Sequence, residues 1–216
     1  MRSRAAVWLA FSCLLFASAA TAGVIGGTLS PPARSRIAAR LAPIRLTDAV
    51  IYVEKVPESV ERRLESRGFW FFRWSTKSRV RQVVEQDRRF DPQVVATTVG
   101  DRIAFHNLDR VYHSVFSVSA AKQFDLEKRL PGQRDTMTLD RRGVINLHCE
   151  IHPDMVGYVV VTPNHAFTFP DSTGRYRLPA LPEGTYTVRA FHPRWGEIQR
   201  HVDVAKRGDV TLDLKF

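Results

Sequence analysis

The chain has 216 residues, 44% of them apolar and 25% charged, which is the profile of one globular domain or two small ones. Its formal net charge is +10, and no nucleic-acid motif accompanies that charge, so a nucleic-acid partner is not expected. A basic surface of this kind steers acidic protein partners or lies against anionic lipid.

The first segment reads as a targeting sequence. Arg2 and Arg4 precede an apolar run, residues 5–20, that is too short to span a bilayer, and Ala20-Thr21-Ala22 is a small-residue cleavage signal. Residues 1–22 are therefore expected to be a signal peptide cleaved after Ala22, giving an exported, periplasmic protein; the alternative is an uncleaved anchor. Cleavage removes two arginines and Cys13, which leaves +8 of the +10 and makes Cys149 the only cysteine. No intrachain disulfide can then form. A free thiol in an oxidising compartment invites unwanted pairing, and metal ligation protects it; the alternative is an inert buried cysteine.

Residues 23–56 read as strands: a glycine-containing run at 24–29, a basic connector at 34–40, and a β-branched run at 48–53. In residues 58–67 the apolar Val60 and Leu64 sit at i, i+4, which predicts one exposed helix ending at Gly68. A basic and aromatic insertion, residues 57–81, contains Phe69, Trp70, Phe71, Phe72 and Trp74. That cluster is expected to cap a neighbouring domain, with a membrane contact or a docking surface as the alternatives.

Residues 82–162 change to short strands separated by turns, the pattern of a β-sandwich or barrel. Val83 and Val84, residues 94–99, Ile103 with Phe105, and residues 113–118 read as strands. Residues 122–134 read as a polar excursion interrupted by Phe124, Leu126 and Leu130. Ile145, Leu147 and Cys149 share one strand face by period 2, with His148 on the other. Residues 163–216 alternate in the same way and form a second small β block, marginal alone at this size.

The chemistry concentrates in residues 149–155, where Cys149, His152 and Met155 have a C-x2-H-x2-M spacing. Soft sulfur with imidazole suits copper, and a thiolate with two imidazoles and a weak axial thioether makes a blue-copper electron-transfer site. This stretch supplies three of those four groups.

Residues 99–105, Asn107 six positions before a histidine, and the 149–155 loop running into residues 157–161 together resemble the cupredoxins, above all amicyanin, pseudoazurin and plastocyanin. The resemblance covers residues 82–162 and implies a Greek-key sandwich holding one type 1 copper ion through His113, Cys149, His152 and Met155. It also implies an Asn after the first histidine ligand, tying the two ligand loops together; here that position is Ser114, whose hydroxyl would have to serve. The flanks, Thr173 to Leu178 and Leu181 to Val188 with residues 26–29 and 48–53, resemble a carboxypeptidase regulatory-like domain, an immunoglobulin-like sandwich. The expected architecture is all-β: a Greek-key cupredoxin β-sandwich (82–162) inserted between the halves (23–56 and 163–216) of a small immunoglobulin-like β-sandwich. The arrangement resembles exported bacterial methylamine-utilisation and plastocyanin-like proteins.

The expected function is one-electron transfer with a redox partner protein, acidic in character, with no small-molecule substrate and no enzymatic activity. Copper delivery or sequestration is the alternative. His106, His165, His192 and His201 show no ligand-like neighbours in the sequence and are expected to be ordinary surface or core residues.

Overall fold

The computed structural model describes residues 22–32, 45–67, 80–206 and 208–216. The leader up to residue 21, the basic connector at 34–40 and the aromatic cluster from Phe69 to Trp74 lie outside the described residues.

Strands β1 (Ala22–Gly23), β2 (Ile25–Ser30) and β3 (Val50–Val53) precede helix α1 (Glu58–Arg67). Then come β4 (Val80–Gln86), β5 (Arg89–Asp91), β6 (Val94–Thr98), β7 (Arg102–Asn107), β8 (His113–Ser119), β9 (Lys122–Arg129), β10 (Arg134–Thr138), β11 (Gly143–Cys149) and β12 (Val156–Thr162). The remainder forms β13 (Phe167–Thr168), β14 (Arg175–Arg177), β15 (Leu181–Pro182), β16 (Gly184–His192), β17 (Gly196–Val204), β18 (Val210–Thr211) and β19 (Leu214–Lys215). The all-β class expected from the sequence holds.

Strands β4 to β12 make a two-sheet sandwich, with strand orders β10-β7-β4-β5 and β6-β12-β11-β8-β9. The β4/β7 and β6/β12 pairs are parallel. Between the sheets pack Val83, Ile103, Phe105, Val115, Ile145, Leu147 and Val159, and the same cluster contains Cys149 and Met155.

The chain before α1 pairs with the chain after β12. Strand β3 lies between β13 and β16, and β2 pairs with β14, β18 and β19, giving sheets β13-β3-β16-β17 and β14-β2-β18. Ile25, Leu29, Ile51, Val188, Ala190 and Leu214 fill the space between them.

A third apolar layer joins the two sandwiches. Val50, Val94, Ala96, Val160 and Phe191 are buried together, flanked by Tyr52, Val144, Tyr158 and Phe167. The alternation of strand side chains explains how one strand serves two cores. In β3, Val50 faces this shared layer while Ile51 and Val53 face the outer core. In β12, Val160 faces the shared layer while Val159 and Val161 face the inner core. Strand β6 is buried along its whole length, because the sheet it edges is covered on both faces, and its sequence Val-Val-Ala-Thr-Thr is accordingly free of charge. Burying one Val or Phe side chain is worth roughly 1.5–3 kcal/mol, so this layer is a packed interface and not a loose tether.

Two expectations are corrected. Residues 122–129, read as a polar excursion, form the edge strand β9. Phe124 and Leu126 alternate inward against the core while Asp125 and Glu127 face water, and the high charge masked the period. Helix α1 spans the expected residues, but it is not simply exposed: Val60 is buried in the outer core and Leu64 packs against it.

Candidate metal centre

Cys149 is the last residue of β11 and takes the inward side, as the period of Ile145 and Leu147 requires. Its neighbour is β8, paired so that Cys149 lies opposite Val115, and His113 opens that strand. The loop after Cys149 turns back on itself: the Met155 N–H donates to the His152 carbonyl at 2.9 Å.

Three donor atoms meet here. Cys149 Sγ lies 3.7 Å from His113 Nδ1 and 3.7 Å from His152 Nδ1, and the two Nδ1 atoms are 3.2 Å apart. The point equidistant from the corners of that triangle is about 2 Å from each, which is the bond length that a borderline metal ion makes with imidazole, and slightly shorter than its bond to thiolate. The donor chemistry and the spacing fit a metal ion. His113 is fully buried and Cys149 nearly so, whereas His152 is half-buried. His152 opens on a cleft of about 840 Å³ whose walls include Arg88, Leu108, Val111, Ile151 and Met155. Burial, then the nearby His113 and Arg88, hold the His152 imidazole below its usual range, which favours the neutral ring that a metal requires. Met155 is almost fully buried in the same core cluster as Cys149.

The segments that carry His113 and Cys149 are tied directly. The Glu150 N–H donates to the Ser114 carbonyl at 3.0 Å, and the Ser114 hydroxyl donates to Glu150 Oε2 at 3.2 Å. The hydroxyl that stands in place of the asparagine therefore does link the two segments. Asn107 shapes the loop before His113: its Nδ2 donates to the carbonyls of Val111 and Arg129, each at 3.0 Å, and its Oδ1 accepts the Asp109 N–H at 3.0 Å.

Several neighbours were not legible in the sequence. His113 Nε2 lies 2.8 Å from Asp109 Oδ2. Opposite His113 in the β8/β9 ladder sits Arg129, fully buried, paired with the equally buried Glu85. The Arg129 guanidinium also donates to Asp135 Oδ2 at 2.7 Å, to the Phe105 carbonyl at 2.7 Å and to the Gln133 carbonyl at 3.1 Å. Burial raises the Glu85 carboxyl above its ordinary value, and the Arg129 charge opposes that rise. An arginine in a charged edge strand looks like any surface arginine until the ladder places it.

His148 takes the face opposite Cys149 and packs on Phe116, with ring centroids 5.6 Å apart. His192 is buried and stacked on Trp195 at 3.8 Å, and His201 Nδ1 meets Thr187 Oγ1 at 3.1 Å. The expectation that His165 lacks ligand-like neighbours is corrected. Its Nδ1 lies 2.5 Å from Glu61 Oε1, and Glu65 is close enough to make a second group of metal-type donors. Its Nε2 meets Thr98 Oγ1 at 3.1 Å. Both ring nitrogens are thus engaged within the fold, tying α1 to the end of β6. Glu61 is 104 residues away in the chain, beyond the reach of any local spacing argument.

No protein-family model and no curated protein matches the chain. Among solved structures it is similar to a copper-containing nitrite reductase from Thermus scotoductus, at 26% identity over 37% of this chain with a TM-score of 0.36. The match spans 21% of that enzyme's length. It is also similar to a purple cupredoxin from Nitrosopumilus maritimus, at 24% identity over 38% of this chain and 98% of that one, with a TM-score of 0.35. A variant of amicyanin in its Cu(I) form matches at 24% identity over 38% of this chain and 81% of its own, also with a TM-score of 0.35.

Proposed function

We propose that this protein is an exported one-electron carrier holding a single type 1 copper ion through His113, Cys149, His152 and Met155. The observation that carries the reading is the triangle of Cys149 Sγ and the two Nδ1 atoms, with sides of 3.7, 3.7 and 3.2 Å. A thiolate and two imidazoles around one point, with a thioether residue on the same short loop, is the donor set that suits copper shuttling between its two oxidation states. Copper bound there would supply a reversible one-electron change. The chain's own part is to hold the donors still. Strand β11 fixes Cys149, the head of β8 fixes His113, and the Ser114–Glu150 link locks the loop that carries His152. Little rearrangement then accompanies a change of charge.

His152 is the half-buried ligand and opens on the cleft, so it is the natural exit for an electron to a docked partner. The net basic charge favours an acidic partner protein. In this reading the protein is not an enzyme and has no small-molecule substrate. The outer sandwich is an immunoglobulin-like support, packed through Val50 and Phe191 on the copper-bearing sandwich.

The reading is tested by the visible spectrum of the purified protein loaded with Cu(II). An intense thiolate-to-copper band that bleaches and returns on reduction and reoxidation is expected, and Cys149→Ser should abolish it. A colourless protein that releases Cu(I) to an acceptor would favour copper delivery. A blue band surviving in Cys149→Ser would sink the ligand assignment.

A further inference from the structure

We infer that Asp109 is a positioning residue that selects the tautomer of His113, so that a bare lone pair faces the site before any metal arrives. The inference rests on the metal-site reading above.

The geometry is built from three directions. Asp109 Oδ1 accepts the Asp87 N–H at 2.7 Å, and Oδ2 accepts the Arg88 N–H at 2.9 Å. Asp87 and Arg88 form the turn between β4 and β5, with φ of 53° and 55°, and this left-handed turn aims both N–H groups at the one carboxylate. The Asp109 N–H is held in turn by Asn107 Oδ1 at 3.0 Å and the Glu85 carbonyl at 3.1 Å. Against this anchored carboxylate lies His113 Nε2, at 2.8 Å.

Both oxygens of Asp109 already accept backbone N–H groups, so the carboxylate faces the ring as an acceptor. The imidazole nitrogen that faces it therefore carries the hydrogen. In a neutral ring the other nitrogen, Nδ1, is then bare. Nδ1 is the atom 3.7 Å from the Cys149 sulfur and 3.2 Å from the His152 Nδ1. With the ring fully buried, no water competes for Nε2, so the tautomer is set by Asp109. A carboxylate on the far side of a ligand ring also raises that ligand's basicity. Its negative charge favours the more highly charged oxidation state of an ion bound at Nδ1.

The first test needs no metal. Nitrogen-15 NMR of the metal-free protein should show the His113 ring protonated at Nε2. Asp109→Ala should shift it to a mixture of tautomers. Asp109→Asn, which keeps an acceptor oxygen without the charge, should retain much of the Nε2–H form. The second test is copper binding and potential. Asp109→Ala should weaken copper affinity about 10–100-fold, and Asp109→Asn should keep the visible band while raising the reduction potential. An unchanged Nε2–H tautomer in Asp109→Ala, or an unchanged potential in Asp109→Asn, would overturn the inference. So would variants that melt earlier but keep tautomer, affinity and potential, since Asp109 would then only brace the turn. A wild-type protein that shows the tautomer and takes no copper would instead overturn the proposed function and leave the tautomer assignment standing.

Discussion

Ser114 and Glu150 are joined twice, once through the backbone and once through their side chains, across 36 residues of sequence. One adjoins His113 and the other adjoins Cys149. Removing the hydroxyl in Ser114→Ala takes a donor from the carboxylate of the exposed Glu150, which water can still solvate, so the loss is that of an ordinary hydrogen bond, about 0.5–1.5 kcal/mol. The variant should lose about that much stability in urea denaturation. In the proposed site it should also release copper faster, measured by transfer to a chelator, because the side-chain tie between the segments that carry His113 and Cys149 is lost and only backbone bonds remain.

Met155 is the residue for which potential and colour should separate. Met155→Leu keeps an apolar side chain of similar volume in a tightly packed cluster, so the fold should tolerate it at a cost under about 1.5 kcal/mol. In the proposed site the thioether is a weak donor that favours the oxidised ion, and this variant removes it. The visible band should persist and the reduction potential should rise, as voltammetry would show. Loss of the band would mean that Met155 is needed to assemble the site and does not merely tune it.

The Glu85–Arg129 pair behind His113 should behave as a buried ion pair. Arg129→Met strands Glu85, already deprived of water, and breaking such a pair costs about 3–5 kcal/mol. The double variant Glu85→Gln with Arg129→Met removes the stranded charge and should recover part of that loss. A double-mutant cycle by chemical denaturation tests the coupling; additive losses would contradict it.

Acid should loosen the outer sandwich. Asp213 accepts hydrogen bonds from the Thr28 hydroxyl at 2.7 Å and the Thr28 N–H at 2.8 Å, and these hold its carboxyl below the ordinary range. A depressed folded value means that the stabilisation is complete above the unfolded value, about 3.9 for Asp, and disappears as pH falls through the folded one. Asp213→Asn should lower the melting temperature at pH 7, and the gap from wild type should close as pH drops below the ordinary carboxylate range. A gap that stays constant from pH 7 to pH 2 would mean that charge is not the cause.

Phe191 tests the shared layer. It is buried with Val50, Val94, Ala96 and Val160, its ring 6.0 Å from that of Tyr158. Phe191→Ala should cost about 3–5 kcal/mol if the interface is as well packed as a core. Limited proteolysis should then cut between β12 and β13 sooner than in wild type.

What could be read from the residues was local or periodic. Cys149, His152 and Met155 lie within one heptad's reach, and the inward side of Cys149 follows from counting by twos from Ile145. The mates of β3 and β2 were foreseeable because a 50-residue β block cannot cover its own faces. What stayed hidden depends on residues brought together from afar. Asp109 looks like a loop aspartate until the Asp87–Arg88 turn points two N–H groups at it. Arg129 looks solvated because charged residues precede it in β9, and His165 looks idle because its partner Glu61 sits on a helix on the other side of the inner sandwich in sequence.

The pairing of β2 and β3 with strands that follow β12 has a kinetic corollary. A chain made from its N-terminus presents these two strands early, with nowhere to go: their partners lie in the final quarter of the polypeptide. The middle of the chain can collapse on nearby contacts, while the outer walls must wait for closures spanning up to 185 residues, the slowest kind of event in β-protein assembly. Until then, two short sticky ribbons trail unpaired, and anything that shields them in the interval would decide the yield.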